Sequence, residues 1–232
     1  MSKIKEVSVI IPTLDESENI YPLLSSLTAF LHICNIPWEV IFADDTSDDS
    51  VRIRALGFGD GNENIRCVSC ENKGLGAAVR YASEFANFPD ILVMDADLSH
   101  SPIYTIALLR SYFYSDYRLV VGSRYVKGGG IIGWPFSRRI ISSISNFLSY
   151  PITGLKDSMS GFFVTERELL LKTKENGYKI MMEIASTLPD SDKYEVPITF
   201  KDRERGKSKA TWREGYRFAR ELVRLYREGF GI

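Results

Sequence analysis

Apolar residues along this chain follow two spacings. Short continuous runs, Val7-Ser8-Val9-Ile10-Ile11, Trp38 to Ala43, Ile65 to Ser69, Ile91 to Met94 and Leu119 to Gly122, read as buried strands, the first ending at Pro12. Between them apolar residues recur at helical spacing, from about Ser17 to Leu31 and in an Ala-rich stretch reaching Phe85. This alternation predicts βαβ units, and so an α/β protein built on a mostly parallel sheet. Polar and charged residues collect where strands one, two, four and five end, the edge at which open α/β sheets hold ligands.

The second half is less regular. Gly128-Gly129-Gly130 and Gly133-Trp134-Pro135 predict a loop too glycine-rich to be fixed by its own sequence, a candidate lid. Ser137 to Tyr150 predicts a helix with Ile140, Ile141, Ile144, Phe147 and Leu148 on its apolar side. After the turn Asp157-Ser158-Met159-Ser160-Gly161, helices are expected near Thr165 to Thr173 and Ile180 to Thr187, then a strand from Glu195 to Phe200. In the tail, Trp212, Tyr216, Ala219, Val223, Tyr226 and Phe230 form one helical stripe. Arg213, Arg217, Arg220, Arg224 and Arg227 form a second stripe beside it. Such a helix either packs its apolar stripe on the core or lies at a membrane interface. Residues 1–209 are thus read as one α/β domain and 210–232 as an amphipathic basic helix. No leader-like apolar segment opens the chain and no 18 apolar residues run together, so neither export nor a membrane span is expected.

Composition adds a bound: 232 residues, 44% hydrophobic and 25% charged, exclude a disordered protein or a disulfide-stapled miniprotein. Charge adds more once the net of -1 is divided along the chain. Residues 1–100 hold 7 Lys/Arg against 16 Asp/Glu, residues 101–200 hold 12 against 9, and residues 201–232 hold 10 against 5. An acidic first half suits a cation and a basic last stretch suits phosphates. Three cysteines, Cys34, Cys67 and Cys70, favour buried thiols in a reducing compartment. Cys67 and Cys70 lack the second Cys/His pair a zinc site needs.

The chemistry begins at Asp95-Ala96-Asp97, where two carboxylates stand at a strand end. Paired carboxylates with open positions suit Mg2+ or Mn2+, cations that keep waters and bridge to substrate phosphates. Asp is also common in turns, so the pair gains weight from its place after an apolar strand in an acidic region. A P-loop is absent, and Gly74-Leu75-Gly76-Ala77-Ala78-Val79 lacks the third glycine of a dinucleotide fingerprint.

With Val9-Ile10-Ile11-Pro12-Thr13-Leu14-Asp15-Glu16, Ala43-Asp44-Asp45-Thr46-Ser47, Asn72-Lys73-Gly74-Leu75-Gly76, Asp95-Ala96-Asp97-Leu98-Ser99-His100 and Gly122-Ser123-Arg124-Tyr125, the chain resembles the inverting family 2 glycosyltransferases of GT-A fold. Trp134-Pro135-Phe136-Ser137-Arg138-Arg139, Ser160-Gly161-Phe162-Phe163, Gly177 to Glu183 and Arg203 to Lys209 make it similar to the dolichol-phosphate mannose synthase branch. The resemblance implies that Pro12, Leu14, Glu16 and Asp44 line the nucleotide pocket, together with Gly74. Leu14 stands where an aromatic residue is usual. It further implies that Asp95 and Asp97 hold a divalent metal, with Ser99 where some members carry a metal-binding glutamine. Arg124, Arg138, Arg203 and Lys209 match the basic positions around donor and acceptor phosphates.

The implied reaction transfers a hexose, mannose from GDP-mannose first, to dolichyl or polyprenyl phosphate with inversion, using Mg2+ or Mn2+. Alternatives are a UDP-glucose donor, or a catalytically silent nucleotide-sugar-binding subunit. A phosphate acceptor is already ionised, so it needs cations to place it more than a strong base. The Glu-Asp base motif of hydroxyl-glycosylating relatives and the Gln-x-x-Arg-Trp of processive synthases are both missing, and the corresponding region reads Lys156 to Gly161. Asp157 stays open between a base and a turn-capping role, and Glu183 between orienting a ligand and being a partnered buried carboxylate. Many relatives continue past this point into transmembrane helices. The expected setting is therefore peripheral, on the cytoplasmic face of a membrane. Contact would come through the tail helix, the Ile140 to Leu148 helix or an anchoring partner subunit, with no nucleic-acid partner.

Overall fold

The computed structural model describes residues 4–58, 63–70, 74–174, 179–202, 218–220 and 222–227. The strands are β1 (Val7–Thr13), β2 (Trp38–Asp44), β3 (Ile65–Ser69), β4 (Asp90–Val93), β5 (Leu119–Ser123), β6 (Gly130–Ile132), β7 (Phe163–Glu166), β8 (Lys193–Pro197) and β9 (Thr199–Lys201). The helices are α1 (Ile20–Cys34), α2 (Ser50–Leu56), α3 (Leu75–Glu84), α4 (Tyr104–Phe113), α5 (Phe136–Thr153), α6 (Arg167–Leu171) and α7 (Ile180–Thr187). Seven strands form one sheet in the order β3-β2-β1-β4-β7-β5-β8, parallel except for β7. The mostly parallel α/β sheet expected from the sequence is the sheet observed.

The continuous apolar runs are explained by cover on both faces. On one face Val9, Ile11, Val40, Phe42 and Leu92 pack with Leu23, Leu24 and Leu27 of α1 and Leu108, Leu109 and Tyr112 of α4. On the other, Ile10, Ile41, Ile91 and Val93 pack with Ala78, Val79 and Ala82 of α3 and Met181 and Ile184 of α7. Successive residues of β1 and β2 alternate between the two cores, and the polar pair near their starts is joined, the Ser8 hydroxyl donating to Glu39 Oε1 (2.6 Å).

Three expectations need correction. The stretch read as a helix from Thr165 begins as strand: β7 runs antiparallel between β4 and β5, pairing Leu92 with Val164 and Val120 with Val164. Four residues running straight into α6 give no periodicity to separate strand from helix. The single strand expected from Glu195 to Phe200 is two, because the chain leaves β5 after Pro197 and pairs β9 with β6. The glycine-rich candidate lid is therefore held: its Gly130–Ile132 segment is that partner strand. Gly129 is needed there, since a Cβ would lie 2.6 Å from the carbonyl oxygen of Ser123.

In α5 the apolar side read from the sequence faces away from the core. Ile141, Ile144 and Phe147 are 65%, 53% and 78% exposed, whereas Asn146, Ser149 and Thr153 are buried. The buried face is polar and most of its groups are paired locally: the hydroxyls of Ser149 and Thr153 donate to the carbonyls of Ser145 and Ser149 (2.9 and 3.0 Å), and Ser158 donates to Asn146 Oδ1 (3.1 Å), while Asn146 Nδ2 meets no partner among the described residues. In the tail, residues 218–220 and 222–227 are helical. They bury Leu222 and Leu225 and leave Val223 of the predicted stripe exposed. Arg224, expected on the arginine stripe, pairs with Glu183 at 3.2 Å, and Tyr226 donates to the carbonyl of Leu148 (3.0 Å). Among the described residues no helix is long and apolar enough to cross a membrane.

Candidate active site

The site grows from the carboxyl ends of β1, β2, β4 and β5. At the end of β2, Asp44 is buried and its Oδ1 accepts from the Thr13 hydroxyl and from the Thr46 N–H, both at 3.1 Å. The Asp45 N–H donates to the carbonyl of Thr13 (2.9 Å) and the Asp15 N–H to the Thr46 hydroxyl (3.2 Å), tying the two strand ends together. Pro12 is buried in β1, Leu14 is exposed just beyond it, and Glu16 accepts from Asn19 Nδ2 (2.7 Å). A cavity of about 140 Å³ opens beside Asp44, lined by Thr46, Ser47, Asp48, Asp49, Arg52, Cys67 and Ser69. Burial and the neighbouring Asp44 charge push the Cys67 thiol up to about 12, so it lines this cavity as a neutral group. Gly74 begins α3 with φ 78°, a left-handed conformation that glycine adopts freely.

Asp95 and Asp97 follow β4. The Met94 N–H still donates to the carbonyl of Ile10 (3.3 Å), so the carboxylates emerge beside the end of β1. Asp97 is buried, and its Oδ1 accepts from the Ser99 N–H (3.0 Å). Asp95 is more open, with Oδ2 3.5 Å from Nδ1 of the buried His100. Antiparallel β7 delivers Gly161 to this point: a Cβ there would meet both Asp95 carboxylate oxygens at 3.2 Å. The Ser99 hydroxyl is buried and meets no hydrogen-bonding partner among the described residues. Two carboxylates and an unmet hydroxyl oxygen fit a hard divalent cation. Among the described residues no group of three or more His, Cys, Asp or Glu side chains is placed to enclose one.

Arg124, just past β5, is held by Asp157. It donates from its backbone N–H and Nε to Oδ2 (each 2.8 Å) and from Nη2 to Oδ1 (2.7 Å), and both side chains are buried. Burial acts to lower the Arg124 pKa, but the bonds and charge of Asp157, with Tyr125 and Asp95 behind them, hold it above the ordinary value. Asp157 is thus neither an exposed base nor a simple turn cap. Its own turn is fixed by Glu195, which accepts from the N–H groups of Lys156 and Asp157 (2.8 and 2.9 Å). Arg138, in the first turns of α5, is half-buried, donates to Asp202 Oδ1 (2.9 Å) and lies over the Trp134 ring. Arg203 and Lys209 lie outside the described residues.

Sequence reasoning did not single out Glu195, Asp202 or Gly161 individually. Charge and spacing gave no signal for the first two, whose partners Asp157 and Arg138 lie 38 and 64 residues away. Glu183 proves to be a partnered buried carboxylate, accepting from the Lys174 N–H at 3.0 Å through each oxygen and pairing with Arg224.

Residues 8–174 match the model of the family described as glycosyl transferase family 2. The chain is 34% identical over 226 residues to a dolichol-phosphate mannosyltransferase of Pyrococcus furiosus, covering 95% of this chain and 63% of that one. It spans under two thirds of that relative's length. It is also 34% identical over 239 residues to a dolichol-phosphate mannosyltransferase of Saccharomyces cerevisiae, covering 97% of this chain and 89% of that one. Among solved structures, glucosyl-3-phosphoglycerate synthase from Mycobacterium tuberculosis, in complex with Mn2+, UDP and glucosyl-3-phosphoglycerate, aligns with TM-score 0.70 at 18% identity. That alignment covers 98% of this chain and 81% of the other and shows a common fold, the GT-A arrangement.

Proposed function

The chain belongs to glycosyl transferase family 2, and from that premise we propose that it transfers a hexose, mannose from GDP-mannose, to dolichyl or polyprenyl phosphate with inversion at the anomeric carbon. The observation that carries the lipid half of this reading is α5. Arg138 stands in its first turns, and the rest of the helix turns Ile141, Ile144 and Phe147 outward. A cation at the head of an apolar outward face suits a phosphate whose hydrocarbon chain continues into a bilayer. The names of the curated relatives support the same acceptor and hexose.

In this reading the nucleotide lies against Pro12, Leu14, Glu16, Asp44 and Gly74, and Asp95 and Asp97, with Ser99, hold Mg2+ or Mn2+. When bound, the metal offsets negative charge on the departing diphosphate. Arg124, fixed by Asp157, supplies a permanent positive charge nearby, and Arg138 positions the acceptor phosphate. Arg203 and Lys209 are proposed for the same phosphates. That acceptor is ionised at neutral pH, so the site works by orientation and charge rather than by proton abstraction. The protein is proposed to act peripherally on the cytoplasmic face of a membrane, through α5 and the tail helix or with an anchoring subunit.

The test is transfer of radiolabel from GDP-mannose into organic-extractable lipid, with dolichyl phosphate and Mn2+ present, and UDP-glucose as the parallel donor. Label from GDP-mannose is expected. Label from neither donor overturns the proposal, and label from UDP-glucose alone reassigns the donor. Asp97→Ala is expected to lose metal-dependent turnover while keeping a cooperative thermal transition, because it removes one carboxylate and the hydrogen bond accepted from the Ser99 N–H.

A further inference from the structure

Trp134 sits between β6 and α5, is 8% exposed, and its indole N–H meets no acceptor among the described residues. Its π system is well used. Cζ of Arg138 lies 3.9 Å from the ring centroid and Cζ of Arg124 5.2 Å from it. Phe200 of β9 meets the indole edge-on, with centroids 5.3 Å apart at 73°, which sets the plane of the ring.

We propose that Trp134 is a positioning residue whose ring sets the spacing of the Arg124 and Arg138 guanidiniums and so builds a two-cation seat for the acceptor's phosphate monoester. The seat rests on the proposed function and deepens its acceptor half. The two cations are held differently. Arg124 is buried and locked to Asp157 by three hydrogen bonds. Arg138 is joined to Asp202 where both side chains are about a third exposed, a pair that solvent weakens and a phosphate can replace. A long arginine side chain loses rotamer freedom when it binds an anion, and stacking on a fixed ring removes that freedom beforehand. Trp134 thus holds the exchangeable cation at a set distance from the locked one.

The test compares Trp134→Leu, Trp134→Phe and Arg138→Lys in the full chain. Acceptor KM and donor KM are measured with polyprenyl phosphate in detergent micelles, and polyprenyl phosphate affinity by calorimetry. Trp134→Leu is expected to raise acceptor KM about tenfold while donor KM moves less than about twofold, in keeping with loss of a partly desolvated cation–π contact. Trp134→Phe, which keeps a ring face and lacks the N–H, is expected to stay within about threefold of wild type. Arg138→Lys keeps the charge and loses the planar stack, so it is expected to match Trp134→Leu even if that variant folds poorly. Unmoved acceptor KM in Trp134→Leu or Arg138→Lys overturns the seat, as does a Trp134→Phe variant as weak as Trp134→Leu. If wild type transfers normally in those cases, only the seat fails. A wild-type protein that neither transfers to nor binds polyprenyl phosphate overturns the seat and the proposed function together.

Discussion

Asp157 lies in a polar turn yet is wholly buried, and what holds it there is Arg124. Removing one member of a buried ion pair leaves the other charge without compensation, which costs about 3–5 kcal/mol. Asp157→Ala is therefore expected to lower unfolding stability by that amount in urea titration, while Arg138 and Asp202, nearer the surface, contribute less than about 1 kcal/mol. A loss below about 1 kcal/mol for Asp157→Ala would show that the Arg124 charge finds another partner. The residue types at the site were legible beforehand: Asp95, Asp97, Arg124 and Arg138 all stand at the sheet's carboxyl edge or at the head of α5. Their partners were not, because Asp157 lies 33 residues from Arg124 and Asp202 lies 64 from Arg138. Sequence spacing says nothing about contacts made across strands that have yet to be ordered.

At the scale of elements, α5 is the informative case. Its periodicity predicts a helix with one apolar stripe, and both are observed, with the stripe facing outward. Period alone identifies an amphipathic helix and not the side it buries. Here the inner surface is the 155–158 turn, which offers hydroxyl and backbone groups to Asn146, Ser149 and Thr153. The prediction follows from exposure. Ile141→Ser together with Phe147→Ser should weaken co-sedimentation with anionic liposomes at least about tenfold, since each buried apolar side chain contributes roughly 1.5–3 kcal/mol at an interface. Surface substitutions of this kind shift stability by only about 0.5 kcal/mol, so the melting temperature should hardly change. Undiminished sedimentation with both serines in place would mean that α5 does not meet lipid. Of the tail arginines, Arg224 is expected to matter less for liposomes than Arg220 and Arg227, because it is engaged by Glu183.

At the scale of the whole molecule, two groups that ionise at high pH link stability to pH. Burial pushes both the Cys67 thiol, to about 12, and the Tyr112 hydroxyl above their ordinary values, with Asp44 and Asp90 adding to the respective shifts. A group harder to deprotonate when folded stabilises the protein fully below its unfolded pKa and loses that contribution as pH rises toward the folded one. The urea midpoint should therefore hold to about pH 9 and fall above it, and Cys67→Ala should make the fall shallower. A parallel fall in both proteins would assign the effect elsewhere. By itself the sequence determined the α/β class and the placing of Asp95 and Asp97 just after an apolar strand, because period and local chemistry are properties of neighbouring residues; the candidate arginines came from the family resemblance. Only the tertiary structure decided that β7 enters the sheet antiparallel and carries Gly161 to Asp95, that the glycine-rich segment is a strand, and which side of α5 is buried. Each of these depends on pairing between segments far apart in the chain, and that pairing is settled by which surfaces remain to be covered once the central strands have packed.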